Sequence, residues 1–167
     1  MGAPLQGVKS VTRPVRGPQV RADPEPMTTR SFRGGVTAAR SARQVVREEL
    51  KDALPQRRLA DVELIVSELA TNSVRHSGCG DNDELSVEAK VEDDRVRVCM
   101  SDPGEGFEVH TPLRPSGGSV GGYGLLLLDR LSDRWGVKRD GLFSVWFEVQ
   151  RDRLPFGDEH GPRARTA

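Results

Sequence analysis

The residue order predicts an α+β fold, a two-layer sandwich of helices on a sheet, and three observations predict it. Residues 38–54 and 56–76 place apolar side chains three and four apart, the period of an amphipathic helix. Residues 85–91 and 96–100 instead alternate apolar and polar positions on either side of Asp93-Asp94, the mark of a half-buried hairpin. After residue 122 the sequence gives one more apolar helical run and two strand-like runs about Asp140-Gly141, so strands close the fold as a meander.

Taken in order, residues 30–34 are expected to form a short strand. Thr37 is placed to cap a helix over 38–54, with Val45, Val46, Leu50 and Leu54 near one face and Pro55 ending it. The second helix, 56–76, carries Leu59, Val62, Ile65, Val66 and Leu69, and Gly78 is placed to close it. Leu85, Val87, Ala89 and Val91 form the inner face of one hairpin strand, and Val96, Val98 and Met100 that of the other. Residues 103–122, rich in Gly, Pro and Ser, read as a long loop, a length that usually marks a functional lid. It is expected to be mobile when empty, ordered by a ligand and open to cleavage at Arg114. A helix over 123–132 and strands over 134–138 and 143–149 complete the unit.

Composition bounds the rest. At 167 residues the chain fits one domain, and Lys+Arg 25 against Asp+Glu 25 leaves no net charge, so nothing electrostatic points to nucleic acid. The cationic side chains are mostly arginine, which is read as the coding bias of a GC-rich genome. No apolar stretch approaches membrane length and the first residues lack an apolar signal core, so a cytoplasmic protein is expected. Cys79 and Cys99 read as reduced thiols, and no second Cys or His stands close enough to either to suggest zinc. Residues 1–28, with five prolines, read as a disordered leader and residues 153–167 as a flexible tail. The folding unit between them, 29–152, shows no internal repeat.

Three segments carry the chemistry. Glu68, Asn72 and His76 stand at i, i+4 and i+8 and so share a helix face. That face is either simply solvated or turned to a pocket, where an amide oxygen can ligate Mg2+ and a carboxylate can orient or deprotonate a nucleophile. His76, at the helix end, is read as a partner of the helix dipole. Asp102, followed by Pro103, Gly104 and Gly106, is either an ordinary turn or an adenine sensor whose carboxylate accepts the exocyclic amine. In the second reading the glycines let the base approach the backbone. Gly121, Gly122 and Gly124 before Leu125 are either a tether or a helix start that offers free amides to phosphates.

Together, and in this order, these motifs resemble the GHKL ATPase superfamily of gyrase, heat-shock chaperone, histidine kinase and mismatch-repair ATPases. More narrowly, the chain looks like the small stand-alone anti-sigma factor serine/threonine kinases of Gram-positive bacteria. The likeness covers about residues 30–150. It implies a histidine-kinase/gyrase-type ATPase fold, with a mixed sheet covered by helices on one face. It implies that Glu68 is the catalytic carboxylate, that Asn72 ligates Mg2+, and that Asp102, Gly104 and Gly106 bind adenine. Gly122, Gly124 and Leu125 would close over the phosphates, and Ser144 would help to hold adenine from the last strand. The implied cofactors are ATP and Mg2+, and the implied partners an antagonist protein as phospho-acceptor and a sigma factor, with a homodimer suggested. The small residues around Asp102 (Ser101, Pro103, Glu105) and the long leader depart from the compact pattern of that branch without removing a motif residue. Two functions follow: a kinase that phosphorylates the antagonist, or a nucleotide-dependent switch that sequesters a regulator without phosphate transfer.

Overall fold

The chain divides burial between one sheet and the helices laid on it. A computed structural model describes residues 27–106 and 123–151. The elements run β1 (Thr28–Arg33), a 3-10 turn (Gly35–Thr37), α1 (Ala38–Leu50), α2 (Gln56–His76), β2 (Glu84–Val91), β3 (Arg95–Asp102), α3 (Tyr123–Leu131), β4 (Arg134–Asp140) and β5 (Leu142–Gln150). Residues 1–26 of the expected leader, 107–122 of the expected lid with Gly122 among them, and the expected tail lie outside the described residues.

The five strands form one sheet in the order β1-β2-β3-β5-β4. Every pairing in it is antiparallel, which corrects the expectation of a mixed sheet. The cause lies in the connections. β1 and β2, joined through α1 and α2, pair antiparallel, and β3 and β4, joined through α3, are kept apart because β5 folds back between them. That return sets the end of β3 beside the start of β5, with Asp102 opposite Phe143.

Alternation decides which side chains meet the helices. Leu85, Val87, Ala89, Val96, Val98, Met100, Phe143, Val145, Phe147 and Val149 are buried on one sheet face against Val46, Leu50, Val62, Ile65, Val66 and Leu69 of the helices. The opposite parity carries Arg97, Cys99, Ser101, Ser144, Trp146 and Glu148, and no described helix covers it. There Glu148 is screened by arginines instead, with Arg97 Nη1 at 3.1 Å and Arg95 and Arg134 Nη1 at 3.5 Å. The two-layer sandwich is therefore the observed architecture.

Helix ends follow local chemistry with two departures. α1 stops at Leu50, short of residue 54, because residues 51–53 turn so that Leu54 can tuck into the core. Thr37 precedes α1 but its side chain makes no capping hydrogen bond. Gly78 and Gly141 adopt the left-handed conformation, φ 72° and 77°, that ends α2 and turns the β4–β5 hairpin. Arg58, on the first turn of α2, is buried and ties three elements together. Its guanidinium donates to Asp61 Oδ2 at 3.1 Å, Asp133 Oδ2 at 3.2 Å and the carbonyls of Leu131 and Gln150 at 3.3 and 3.2 Å.

Candidate functional site

The buried stripe of α2 is apolar from Leu59 to Ala70 except for Ser67, and then turns polar, with Asn72 and Ser73 both 5% exposed. β3 does the same: Val96, Val98 and Met100 are followed, in the same inward parity, by Asp102 at 3% exposed. Burying a carboxylate is costly unless hydrogen bonds compensate. Here they do, and the two polar ends meet. Ser73 Oγ donates to Asp102 Oδ2 at 2.6 Å, the Gly104 N–H donates to Oδ1 at 2.9 Å, and the Cys79 thiol stands 3.7 Å from Oδ1. Burial first, and then the Asp102 charge, push the Cys79 thiol from 9.0 up to about 11.

The loop after Asp102 needs its glycines for packing. A methyl group on Gly104 would overlap the Ser77 carbonyl, and one on Gly106, at φ 72°, would run into the Phe143 ring. Close approach to the end of α2 and to β5 therefore accounts for both, in addition to the base approach expected from sequence. The Arg139 guanidinium lies 5.1 Å from the centroid of that Phe143 ring and donates to the Glu105 carbonyl, so β4 pins the same loop from outside.

Gly124 of α3 closes the other end. A methyl group built on it would come within 2.7 Å of Asn72 Nδ2 and 3.5 Å of Glu68 Cβ. The glycine thus brings the α3 backbone onto the pair of polar residues that the helical period had singled out. Glu68 is half-buried, and the nearly buried side-chain amide of Asn72 makes no hydrogen bond among the described residues. The amide oxygen of Asn72 suits an oxygen-seeking cation such as Mg2+, while its Nδ2 already fills the space a side chain at 124 would need. Leu125 is half-buried and packs on the core. His76 is exposed at the end of α2, where its place beside the last carbonyls suits the dipole role.

One expected residue is placed elsewhere. Ser144 pairs with Ser101, and their hydroxyls lie 2.8 Å apart on the uncovered face of the sheet. Asp102 points to the opposite face, where its cross-strand neighbour is Phe143. Strand alternation turns the Ser144 hydroxyl away from the Asp102 carboxylate, so the structure does not bring these two expected residues together.

Sequence reasoning missed Ser73, Cys79, Phe143 and Arg139. A signal existed for the first, since Ser73 follows Ile65 and Leu69 at i+4 steps and so interrupts an apolar stripe with a hydroxyl. A separate groove of about 290 Å³, lined by residues that include Ala38, Ala39, Ala70, Thr71 and Val74, lies between α2 and the start of α1. It contains no carboxylate and none of the residues grouped around Asp102.

Comparison with known proteins places the chain in a family. The sequence pattern of the histidine kinase-like ATPase domain matches residues 32–145. The serine-protein kinase RsbW of Bacillus licheniformis is 32% identical over 112 residues, 59% of this chain and 70% of that protein. The RsbW of Bacillus subtilis (strain 168) is 35% identical over 91 residues, 48% of this chain and 57% of its own length. The RsbW of Listeria monocytogenes serotype 4a is 34% identical over 86 residues, so the chain spans about half, 55%, of that relative. A solved histidine kinase domain from Erythrobacter litoralis EL346 is similar at a TM-score of 0.47 and 18% identity, over 68% of this chain and 59% of that one. No helix among the described residues is long and apolar enough to cross a membrane. The matched span contains every described residue of the site, from Glu68 to Phe143, and the chain belongs to the histidine kinase-like ATPase domain family.

Proposed function

We propose that the chain binds ATP along α2 and transfers the γ-phosphate to a serine or threonine hydroxyl of an antagonist protein. In this reading the transfer relieves an inhibited sigma factor, and the chain acts in the cytoplasm as a homodimer. The observation that carries the proposal is the convergence on one helix. Asp102 is bonded to Ser73, and Gly124 is packed on Asn72 and Glu68, so the residues assigned here to base and phosphate binding meet successive turns of α2. Glu68 and Ser73 are five residues apart, about 7.5 Å along the axis, which lets one extended ligand reach both ends. The relatives named serine-protein kinase support the choice of reaction.

Each residue then has a distinct task. The Asp102 carboxylate accepts the exocyclic amine of adenine, an interaction a 6-oxo purine replaces with two facing acceptors. The Asn72 amide oxygen is the group that would hold Mg2+, which when bound neutralises phosphate charge. Glu68 receives the proton of the acceptor hydroxyl as its oxygen bonds to the γ-phosphorus, while the bond from that phosphorus to the ADP oxygen breaks. Glu68→Gln keeps the shape and removes the base, so phosphoryl transfer is expected to fall by about 10^2–10^4 with ATP affinity near that of the unmodified chain. Asn72→Ala is expected to weaken metal-dependent ATP binding itself. The measurement is transfer of labelled γ-phosphate to a candidate antagonist protein, beside a binding titration for each variant. A chain that binds ATP and partner yet transfers no phosphate, and whose Glu68→Gln form binds that partner normally, would instead be a nucleotide-dependent switch.

A further inference from the structure

We infer that Ser73 is a positioning residue for base recognition, fixing the plane of the Asp102 carboxylate so that it meets the adenine amine. The inference rests on the proposed adenine site and adds to it a residue outside the three motifs. A buried carboxyl has a broad, roughly two-fold preference about its last torsion, so its direction must be set by partners. Oδ1 is held by the Gly104 N–H, two residues on, at 2.9 Å and by the Cys79 thiol, from the turn after α2, at 3.7 Å. Oδ2 is held from across the site, by Ser73 Oγ at 2.6 Å.

The Ser73 hydroxyl has one proton and two acceptors in reach, the Leu69 carbonyl at 3.2 Å and Asp102 Oδ2 at 2.6 Å. The shorter, charge-assisted contact takes the proton. The serine is itself immobilised, because its carbonyl accepts the N–H groups of both Ser77 and Cys79 at 3.2 Å. Gly78, at φ 72°, turns the chain between those two donors and so delivers the Cys79 thiol to the other carboxylate oxygen. The clamp on the base acceptor thus sits one residue past Asn72, on the same rigid turn of α2 as the amide proposed to hold the cation.

The test separates orientation from stability. Alanine is the best helix former, so Ser73→Ala keeps α2. Binding of ATP and of purine riboside triphosphate, which lacks the 6-amino group, is measured by calorimetry for the original chain and the variant. The original chain is expected to prefer ATP, and Ser73→Ala to lower that preference roughly ten-fold by weakening ATP while leaving the amine-free analogue unchanged. An equal loss for both nucleotides, or an unchanged preference, overturns the positioning role. If the original chain does not distinguish the two nucleotides, the adenine reading of Asp102 falls first, and the inference with it.

Discussion

Asp102 illustrates how one buried charge is made both tolerable and useful. Three neutral donors surround it, two side chains and one backbone amide, so among the described residues no cation competes with a ligand for its charge. Asp102→Asn preserves volume but turns half the group into a donor, and ATP affinity is expected to fall about ten- to a hundred-fold in a calorimetric titration. A fall of the same size for GTP would remove the adenine role. Cys79 yields a separate expectation. Its thiol is raised from 9.0 to about 11 in the folded chain, so between those values the folded state keeps a proton that the unfolded chain releases. Its contribution to stability is thus complete below pH 9 and is lost as pH rises through 11. Urea midpoints measured from pH 8 to 11 should fall with pH, and Cys79→Ala should flatten that fall.

Two elements owe their placement to single residues. Gly124 lets α3 approach α2, and Gly124→Ala sets helix propensity against space: alanine favours the helix by about 1 kcal/mol, while its methyl needs room that Asn72 Nδ2, 2.7 Å away, occupies. The expected outcome is unchanged far-ultraviolet circular dichroism with at least a ten-fold loss of Mg-dependent ATP affinity. Arg58 ties the start of α2 to the ends of α3 and β5. Arg58→Met withdraws the cation from Asp61 and Asp133 together, and losing one partner of a buried ion pair costs about 3–5 kcal/mol. Arg58→Lys should not restore it, because a point charge cannot span four acceptors placed around a planar fork. Denaturant unfolding of both variants gives the answer, and near-native stability of the lysine form would contradict it. Elements with a strong period were readable: α2 runs over the very residues its stripe spans, and the β2–β3 hairpin follows its alternation. Arg58 was not, since its acceptors lie between 3 and 92 positions away and leave no local pattern.

At the scale of the molecule the site occupies the seam between the helical layer and the sheet, at the point where both buried stripes become polar. That seam was half legible. The i, i+4 spacing of Glu68 and Asn72 and the glycines after Asp102 marked it from sequence. The parity of Ser144 is also legible in sequence, since Phe143, Val145 and Phe147 take the inward positions of β5 and leave Ser144 on the other face. That Ser73 and Cys79 both hold Asp102 was not legible, although Ser73 interrupts an apolar stripe, because the pairing depends on the packing of α2 against the end of β3. The same location predicts global behaviour. A ligand bridging Asp102 on β3, Asn72 on α2 and Gly124 on α3 touches three elements that must separate for the domain to unfold. Binding only the folded state at a hundred times its Kd adds about 2.7 kcal/mol of stability. For a folded unit of this size that raises the melting midpoint by roughly 10 °C. Mg-ATP should therefore shift the calorimetric midpoint by that order, GTP should shift it little, and Asp102→Asn should need far more ATP for the same shift. Equal shifts from ATP and GTP, with Asp102→Asn indistinguishable from the original chain, would place nucleotide binding somewhere other than this seam.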